Sequence, residues 1–64
     1  MWMTDKNGIE LNLDDLVSFR DHQNIPRVGS IYCFDSLYGQ DYAQVKSLNS
    51  MYSVLSEDLE KYDD

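Results

Sequence analysis

The sequence predicts an all-β fold, a small five-stranded barrel with a short 3-10 or one-turn helix near the C-terminus. Several separate runs alternate apolar and polar residues, which is the period of half-buried strands. Turn-forming residues separate these runs, and no helical period lasts longer than one turn. Because the chain has only 64 residues, five short strands fit one strongly bent barrel better than two stacked sheets.

The first apolar alternation runs through "IELNLDDLVSF", residues 9–19. The pattern breaks at Asp14-Asp15 and resumes with Val17 and Phe19, so we expect a half-buried strand on each side of the break. The apolar face before the break consists of Ile9, Leu11 and Leu13. Residues 1–64 form a single predicted domain, in which residues 1–7 and 63–64 are expected to be loose.

The third predicted strand begins in "NIPRVGSIYCF", residues 24–34. Pro26 lacks an N–H and has a fixed φ, which suits the first residue of a strand. Val28 and Ile31 are three residues apart, so a regular strand would place them on opposite faces. A β-bulge at Gly29 would turn both inward and bend the strand. The alternative is that the missing side chain lets a partner approach the backbone.

The second half of the chain predicts two more strands and the short helix. Gly39 can adopt positive φ in the turn "DSLYGQD", and "YAQVKSL" then alternates, with Ala43 and Val45 on one face. A tight connection at 49–50 leads into the strand "MYSVL". Ser56 is the predicted N-cap of the helical turn, followed by acidic residues that suit a helix N-terminus.

Four segments resemble the SH3-like small barrels of the KOW and Tudor type: "DDLVSF" (14–19), "RVGSIY" (27–32), "YAQV" (42–45) and "LSEDLEKY" (55–62). The resemblance covers residues 9–62 and departs at Asp14, where the family pattern has Gly. It implies a bent second strand and a short 3-10 turn near the C-terminus. Members of this group bind proteins, peptides or nucleic acid and rarely catalyse reactions, and the fold alone does not choose among these ligands.

Charge composition favours a basic partner. Twelve carboxylates face five Lys and Arg, giving a net charge of −7. Such a charge repels nucleic acid and anionic membrane surfaces. Solubility alone is the other explanation for an acidic balance of this size. The single cysteine excludes an intramolecular disulfide and indicates a reducing, cytoplasmic setting. The opening residues lack a signal-peptide pattern, and no apolar run is long enough to span a bilayer.

No catalytic, metal or cofactor site is predicted. Cys33 and His22 are the sole candidates for a nucleophile and its base, but no third orienting group accompanies them. Cys33 is expected to be a buried, inert thiol pointing inward with Ile31. A structural zinc site needs four ligands, and the acidic pairs do not fit a calcium loop.

The predicted function is protein binding without catalysis, through exposed aromatic residues with an acidic rim. With Ile31 and Cys33 inward, Tyr32 and Phe34 would point outward, near two further aromatic residues. The predicted partner-binding residues are Tyr32, Phe34, Tyr38, Tyr42, Asp35, Asp41, Glu57, Asp58 and Glu60, with Asp63 and Asp64 extending the acidic surface. One hypothesis is a DNA-mimicking inhibitor, encoded by a phage or mobile element, that blocks a basic nucleic-acid-handling host enzyme.

Three alternatives remain open at this point. A nucleic-acid-associated accessory domain would use Arg20, Arg27 and Lys46. A Tudor-like reader would hold a methylated lysine or arginine in an aromatic cage formed by Phe19, Tyr32, Phe34, Tyr38 and Tyr42. An exposed edge strand would also allow a homodimer to form by strand addition.

Overall fold

The computed structural model describes residues 2–62, which form an all-β protein. The strands are β1 (Met3–Thr4), β2 (Glu10–Leu11), β3 (Leu16–Arg20), β4 (Pro26–Leu37), β5 (Gln40–Ser47), β6 (Ser50–Leu55) and β7 (Glu60–Lys61). One 3-10 turn, Ser56–Asp58, lies between β6 and β7. The all-β class and the 3-10 turn near the C-terminus are therefore confirmed.

Five of the strands form one antiparallel sheet in the order β6-β5-β4-β3-β7. Strands β3 to β6 follow one another as a meander, and β7 returns after the 3-10 turn to pair with β3. Strands β1 and β2 form a separate two-stranded sheet. No hydrogen-bonded ladder among the described residues joins β6 to β7, so these two strands are the edges of the sheet.

The core lies on one face of the five-stranded sheet and is completed by the small sheet. The predicted alternations of β3 and β5 are confirmed, because Val17, Phe19, Ala43 and Val45 are all buried. Burying such apolar side chains is the main stabilising contribution in a chain of this size. The other buried apolar residues are Met3, Leu11, Ile31, Val54 and Leu59.

The predicted first strand is shorter than its sequence pattern indicates. Of its three apolar residues only Leu11 is buried, whereas Ile9 and Leu13 are about half exposed. The chain turns at Asp14, whose φ of 70° lies in the left-handed region. Glycine adopts this conformation most readily.

The N-terminal residues differ from the expectation that they are loose. Met3 is buried, and Asp5 is only 4% exposed. Three backbone N–H groups donate hydrogen bonds to the Asp5 carboxylate at 2.8–2.9 Å. Those of Asn7 and Ile9 donate to Oδ1, and that of Lys61 donates to Oδ2. Asp5 therefore joins the first turn of the chain to β7. Residues 63–64, also expected to be loose, lie outside the described residues.

Pro26 is the first residue of β4, as predicted, but the predicted bulge at Gly29 is wrong. Gly29 pairs with Val17 in a regular ladder, and the register shift lies between Ile31 and Cys33. Val28 is therefore 48% exposed, whereas Ile31 is 1% exposed on the opposite face. The extra residue is Tyr32.

The close neighbour of Gly29 is the backbone of β5. A Cβ at position 29 would overlap the Lys46 carbonyl oxygen and lie 2.8 Å from Cγ1 of Val45. The missing side chain thus permits a close backbone approach within the protein itself. This contact explains the glycine without a bulge at this position.

Because the bulge lies at Tyr32 and not at Gly29, Cys33 and Phe34 point to the faces opposite to those predicted. Phe34 lies opposite the buried Ala43 and packs against the core, and Cys33 lies half-buried opposite Gln44 on the outer face. The predicted inward Cys33 and outward Phe34 are therefore wrong. A bulge one step after Ile31 reverses the alternation for the rest of the strand.

Two tight hairpin turns connect β4 to β5 and β5 to β6. The first contains Tyr38 and Gly39, with φ of 53° and 77°, so the predicted positive φ at Gly39 is confirmed. The second contains Leu48 and Asn49, one residue earlier than predicted, with a φ of 56° at Leu48. Ser56 opens the 3-10 turn but makes no side-chain cap hydrogen bond, so its predicted N-cap role is wrong.

Candidate protein-binding surface

The β4–β5 hairpin extends beyond the strands beside it. The last pair between β5 and β6 is Tyr42 with Leu55, and the β3 ladder on β4 ends at Ser30. Residues 36–41 consequently pair only with each other. We call residues 35–42 the protruding hairpin.

Two large apolar side chains of the protruding hairpin lie in solvent. Leu37 is 55% exposed and Tyr38 is 95% exposed. A two-stranded ribbon without a covering layer has no core in which to bury them. A surface of exposed aromatic and aliphatic groups on a small protein is typical of a contact site.

Tyr38 occupies a position where its backbone favours another residue. The positive φ angles of Tyr38 and Gly39 are those of a type I′ turn, which prefers Asn-Gly. A bulky residue in the left-handed region costs about 1 kcal/mol. Its side chain makes no ring contact with another aromatic residue among residues 2–62. Folding stability therefore does not account for a tyrosine at this turn.

The charge of the protruding hairpin is wholly negative. Asp35 and Asp41 lie on its two strands, and residues 35–42 contain no Lys, Arg or His. Neither carboxylate belongs to an ion pair among the described residues. Asp35 accepts a hydrogen bond from the backbone N–H of Ser36 at 2.8 Å, and Asp41 is exposed. Both remain free to attract a cation on a partner.

The protruding hairpin contains four of the nine predicted binding residues. Tyr42 lies directly opposite Asp35 on the outer face, and its hydroxyl donates to the Gln40 side chain at 3.1 Å. Tyr32 lies exposed at the bulge, nearer the centre of the sheet. The four predicted residues within the hairpin are Asp35, Tyr38, Asp41 and Tyr42.

The remaining predicted residues do not belong to this surface. Phe34 faces the core. Glu60 lies on the edge strand β7 and pairs with Lys6 at 3.2 Å. Glu57 and Asp58 lie in the 3-10 turn and line a groove beside β3. The predicted acidic positions Asp63 and Asp64 lie outside the described residues.

The aromatic pair that the structure brings together was not predicted. Phe19 and Tyr52 meet edge to face at 5.4 Å, and Arg27 lies over the Tyr52 ring at 5.8 Å from its centre. This is the sole ring–ring contact within residues 2–62. The periodicity of "MYSVL" could have placed Tyr52 inward, since it lies two residues before the buried Val54.

Two of the three cations of the nucleic-acid alternative, Arg20 and Arg27, line one groove, which Lys46 does not line. Arg27 is held by Asp21 at 3.0 Å, and Arg20 donates to the Asn24 carbonyl at 2.9 Å. Hydrogen bonds from the Ile25 backbone and the Arg27 side chain lower the pKa of Asp21 against an opposing effect of desolvation. Lys46 lies on the outer face of β5 without a carboxylate partner among residues 2–62.

Candidate chemical groups are likewise separated. His22 is exposed beside the groove along β6, whereas Cys33 lies on the outer face of β4. Within residues 2–62 no group of three or more His, Cys, Asp or Glu side chains is arranged to hold a metal ion. No helix in that range is long and apolar enough to cross a membrane.

No protein-family model matches the sequence, and no curated protein and no solved structure is significantly similar to it.

Proposed function

We propose that this chain is a non-catalytic, acidic protein-binding module of the cytoplasm, built as an SH3-like small barrel. The protruding hairpin is its contact element, and the partner is a basic protein. Tyr38 supplies the apolar anchor, and Asp35 and Asp41 supply the charge.

The architecture is supported by the order of features along the chain. A strand containing Val17 and Phe19 precedes a long bulged strand, and a 3-10 turn precedes a strand that returns to the first. The strain at Asp14 occurs where the resembling family has glycine. These features agree with the family pattern in kind and in sequence order.

The exposure of Tyr38 carries the functional proposal. Tyr38 is 95% exposed at the tip of a hairpin whose charged residues, Asp35 and Asp41, are both acidic. Exposed tyrosine is a frequent anchor in protein interfaces because it supplies a large contact area with few rotatable bonds. A residue that is strained in the free protein is also a reason to look for a role in binding.

The charge of the hairpin selects the chemistry of the partner. Two unpaired carboxylates beside Tyr38, on a chain of net charge −7, attract Lys and Arg and accelerate encounter with a basic surface. Because exposed charges are screened by salt, association should slow as ionic strength rises. A basic surface that otherwise binds nucleic acid is the narrower form of this proposal, in which the module acts as an inhibitor.

Affinity purification from the native cell tests the proposal with one pair of matched variants. Tyr38→Gly removes the proposed anchor, and Leu48→Gly removes another highly exposed apolar side chain at positive φ in the other hairpin turn. Glycine is unstrained at both positions, so both variants should fold. We expect Tyr38→Gly to lose the basic partner and Leu48→Gly to retain it.

The charge and the narrower inhibitor role have separate readouts. Asp35→Asn with Asp41→Asn should lower the association rate and its dependence on salt. If the partner handles nucleic acid, DNA or RNA should compete with the module for it. Recovery of the same partner with Tyr38→Gly, or binding that is insensitive to salt, would contradict the proposed site.

A further inference from the structure

Strand β6 is an edge strand without the usual protection against pairing. Its six residues, Ser50–Leu55, include no charged residue and no proline, and its ladder with β5 contains no bulge. Natural edge strands are usually shortened, charged or kinked to prevent association. The other edge of the sheet follows that rule, since β7 has only two residues, Glu60 and Lys61.

The register of the β5–β6 hairpin determines which backbone groups of β6 are free. Ser47 and Ser50 close a two-residue loop and form a hydrogen-bonded pair, and such pairs alternate along an antiparallel ladder. Ser50, Tyr52 and Val54 therefore bond to β5. The N–H and C=O groups of the other three β6 residues, Met51, Ser53 and Leu55, point away from β5.

No backbone group of residues 2–62 outside the strand ladders bonds to these outward groups. A groove is lined by five of the six β6 residues and by Phe19, Arg20, Asp21 and His22, among others. The β6 edge is consequently a ladder of donors and acceptors that lacks a partner strand within the described chain.

The sequence of β6 is complementary to itself when reversed. If two antiparallel copies meet with Ser53 opposite Ser53, Met51 lies opposite Leu55 and Tyr52 lies opposite Val54. In this register the outward residues of both strands form hydrogen-bonded pairs. Met51 and Leu55 then meet on the outer face of the sheet, and Tyr52 and Val54 meet on the core face. Cross-strand contacts of this kind stabilise a sheet.

We propose that two copies of this chain associate through β6, antiparallel about a two-fold axis at Ser53, to form one continuous ten-stranded sheet. A second copy fits better than an unrelated peptide, because β6 is complementary to another β6 and this pairing brings no charged residue into the contact. A two-fold contact of this kind is closed, so it ends at a dimer.

Electrostatics sets how tight this dimer is. Each copy carries a net charge of −7, so the two copies repel each other although β6 itself is uncharged. Salt screens this repulsion, and dimerisation should strengthen as ionic strength rises. The proposed binding of a basic partner responds to salt in the opposite direction, so the two proposals can fail independently.

Sedimentation equilibrium of the whole chain over a range of concentrations tests the dimer. We expect a mass that rises from 7.5 kDa to twice that value, with the transition at lower concentration in high salt. Ser53→Pro removes the N–H at the two-fold axis, whereas Ser53→Ala keeps it. Both variants lose the hydrogen bond from Gln44 to the Ser53 hydroxyl, so this loss is matched. Ser53→Pro should be monomeric, and Ser53→Ala should dimerise.

A charge pair at the same position keeps the test informative if proline disturbs β6. Ser53→Lys and Ser53→Asp should each be monomeric, because like charges would meet at the axis. An equimolar mixture of the two should recover the dimer. A wild-type chain that stays monomeric at all concentrations and salts, or a dimer that persists in Ser53→Pro and Ser53→Lys, would overturn the proposal.

Discussion

Gly29 of β4 lies directly against the backbone of Lys46 in β5. A methyl group at position 29 would overlap the Lys46 carbonyl oxygen and approach the buried Val45 side chain to 2.8 Å. Since the carbonyl belongs to a strand in the middle of the sheet, it cannot move without disturbing two ladders. The close approach of the Lys46 backbone to Gly29 is thus possible because this residue has no side chain.

Gly29→Ala is expected to lower the free energy of unfolding by about 2–4 kcal/mol, because the overlap is with backbone and not with a flexible side chain. Gly8→Ala is the matched control. A Cβ there meets no atom within 4 Å, but the φ of 79° makes the substitution cost about 1 kcal/mol. Urea unfolding of both variants measures the difference. Equal losses would show that the Gly29 contact is not restrictive.

Asp5→Ala is expected to destabilise the protein by about 3 kcal/mol, because three backbone N–H groups lose their acceptor at a buried position. Asp5→Asn should lower the free energy of unfolding by less than Asp5→Ala does, because the amide oxygen still accepts hydrogen bonds. It remains less stable than the wild type, because the amide NH₂ group faces a backbone N–H. Asp41→Asn makes the same change of charge at an exposed residue and should have little effect. Thermal unfolding compares the three, and a large loss in Asp41→Asn would point to charge instead of hydrogen bonding.

Acidification should remove the stabilising contribution of Asp5. Burial opposes its ionisation, but hydrogen bonds from the Lys61, Ile9 and Asn7 backbone and the nearby Lys6 lower its pKa below the usual 3.8. A group whose pKa is lower in the folded state stabilises the fold above its unfolded pKa. That contribution is lost as the pH falls through the folded pKa.

The measurement for this pH dependence is the difference in unfolding free energy between the wild type and Asp5→Asn. This difference should be largest near neutral pH and should shrink below pH 3.8. Protonation at low pH also weakens the repulsion among the other carboxylates, but this effect is common to both proteins and cancels in the difference. A difference that stays constant through this range would contradict the assigned role.

Asp14→Gly is expected to raise the free energy of unfolding by about 0.5 kcal/mol, because glycine relieves the strain at a φ of 70° and the gain exceeds its greater freedom in the unfolded chain. Asp14→Ala should lower it by about 1 kcal/mol, since alanine disfavours this region. Denaturant unfolding measures both. An alanine variant as stable as the glycine variant would show that the backbone relaxes at this turn.

The regular parts of the fold could be predicted because short-range alternation determines them. Val17, Phe19, Ala43 and Val45 alternate with polar residues and are all buried. The position of the bulge could not be obtained in this way. An extra residue at Gly29 would turn Val28 inward with Ile31, whereas one at Tyr32 turns Phe34 inward with Ile31. The apolar pattern allows both, and the pairing of β4 with β5 decides between them.

The candidate surface was predicted in part for the same reason. Asp35, Tyr38 and Asp41 flank a turn that the glycine signals, so their exposure follows from local sequence. The burial of Phe34 depends on the bulge and was missed. Asp5 was missed as well, because its partner Lys61 is 56 residues away. The following "KNG" did contain the signal of a turn closed by an aspartate side chain.

Between Ser30 and Leu37, Tyr32 is the one residue of β4 without a partner in β5. Ile31, Cys33 and Phe34 pair with three consecutive residues of β5, as they would in a regular strand that lacked Tyr32. Losing this codon would therefore leave the remaining side chains of the strand on their present faces, although such a loss elsewhere in a strand inverts everything beyond it. The chain can vary in length at the middle of its longest strand.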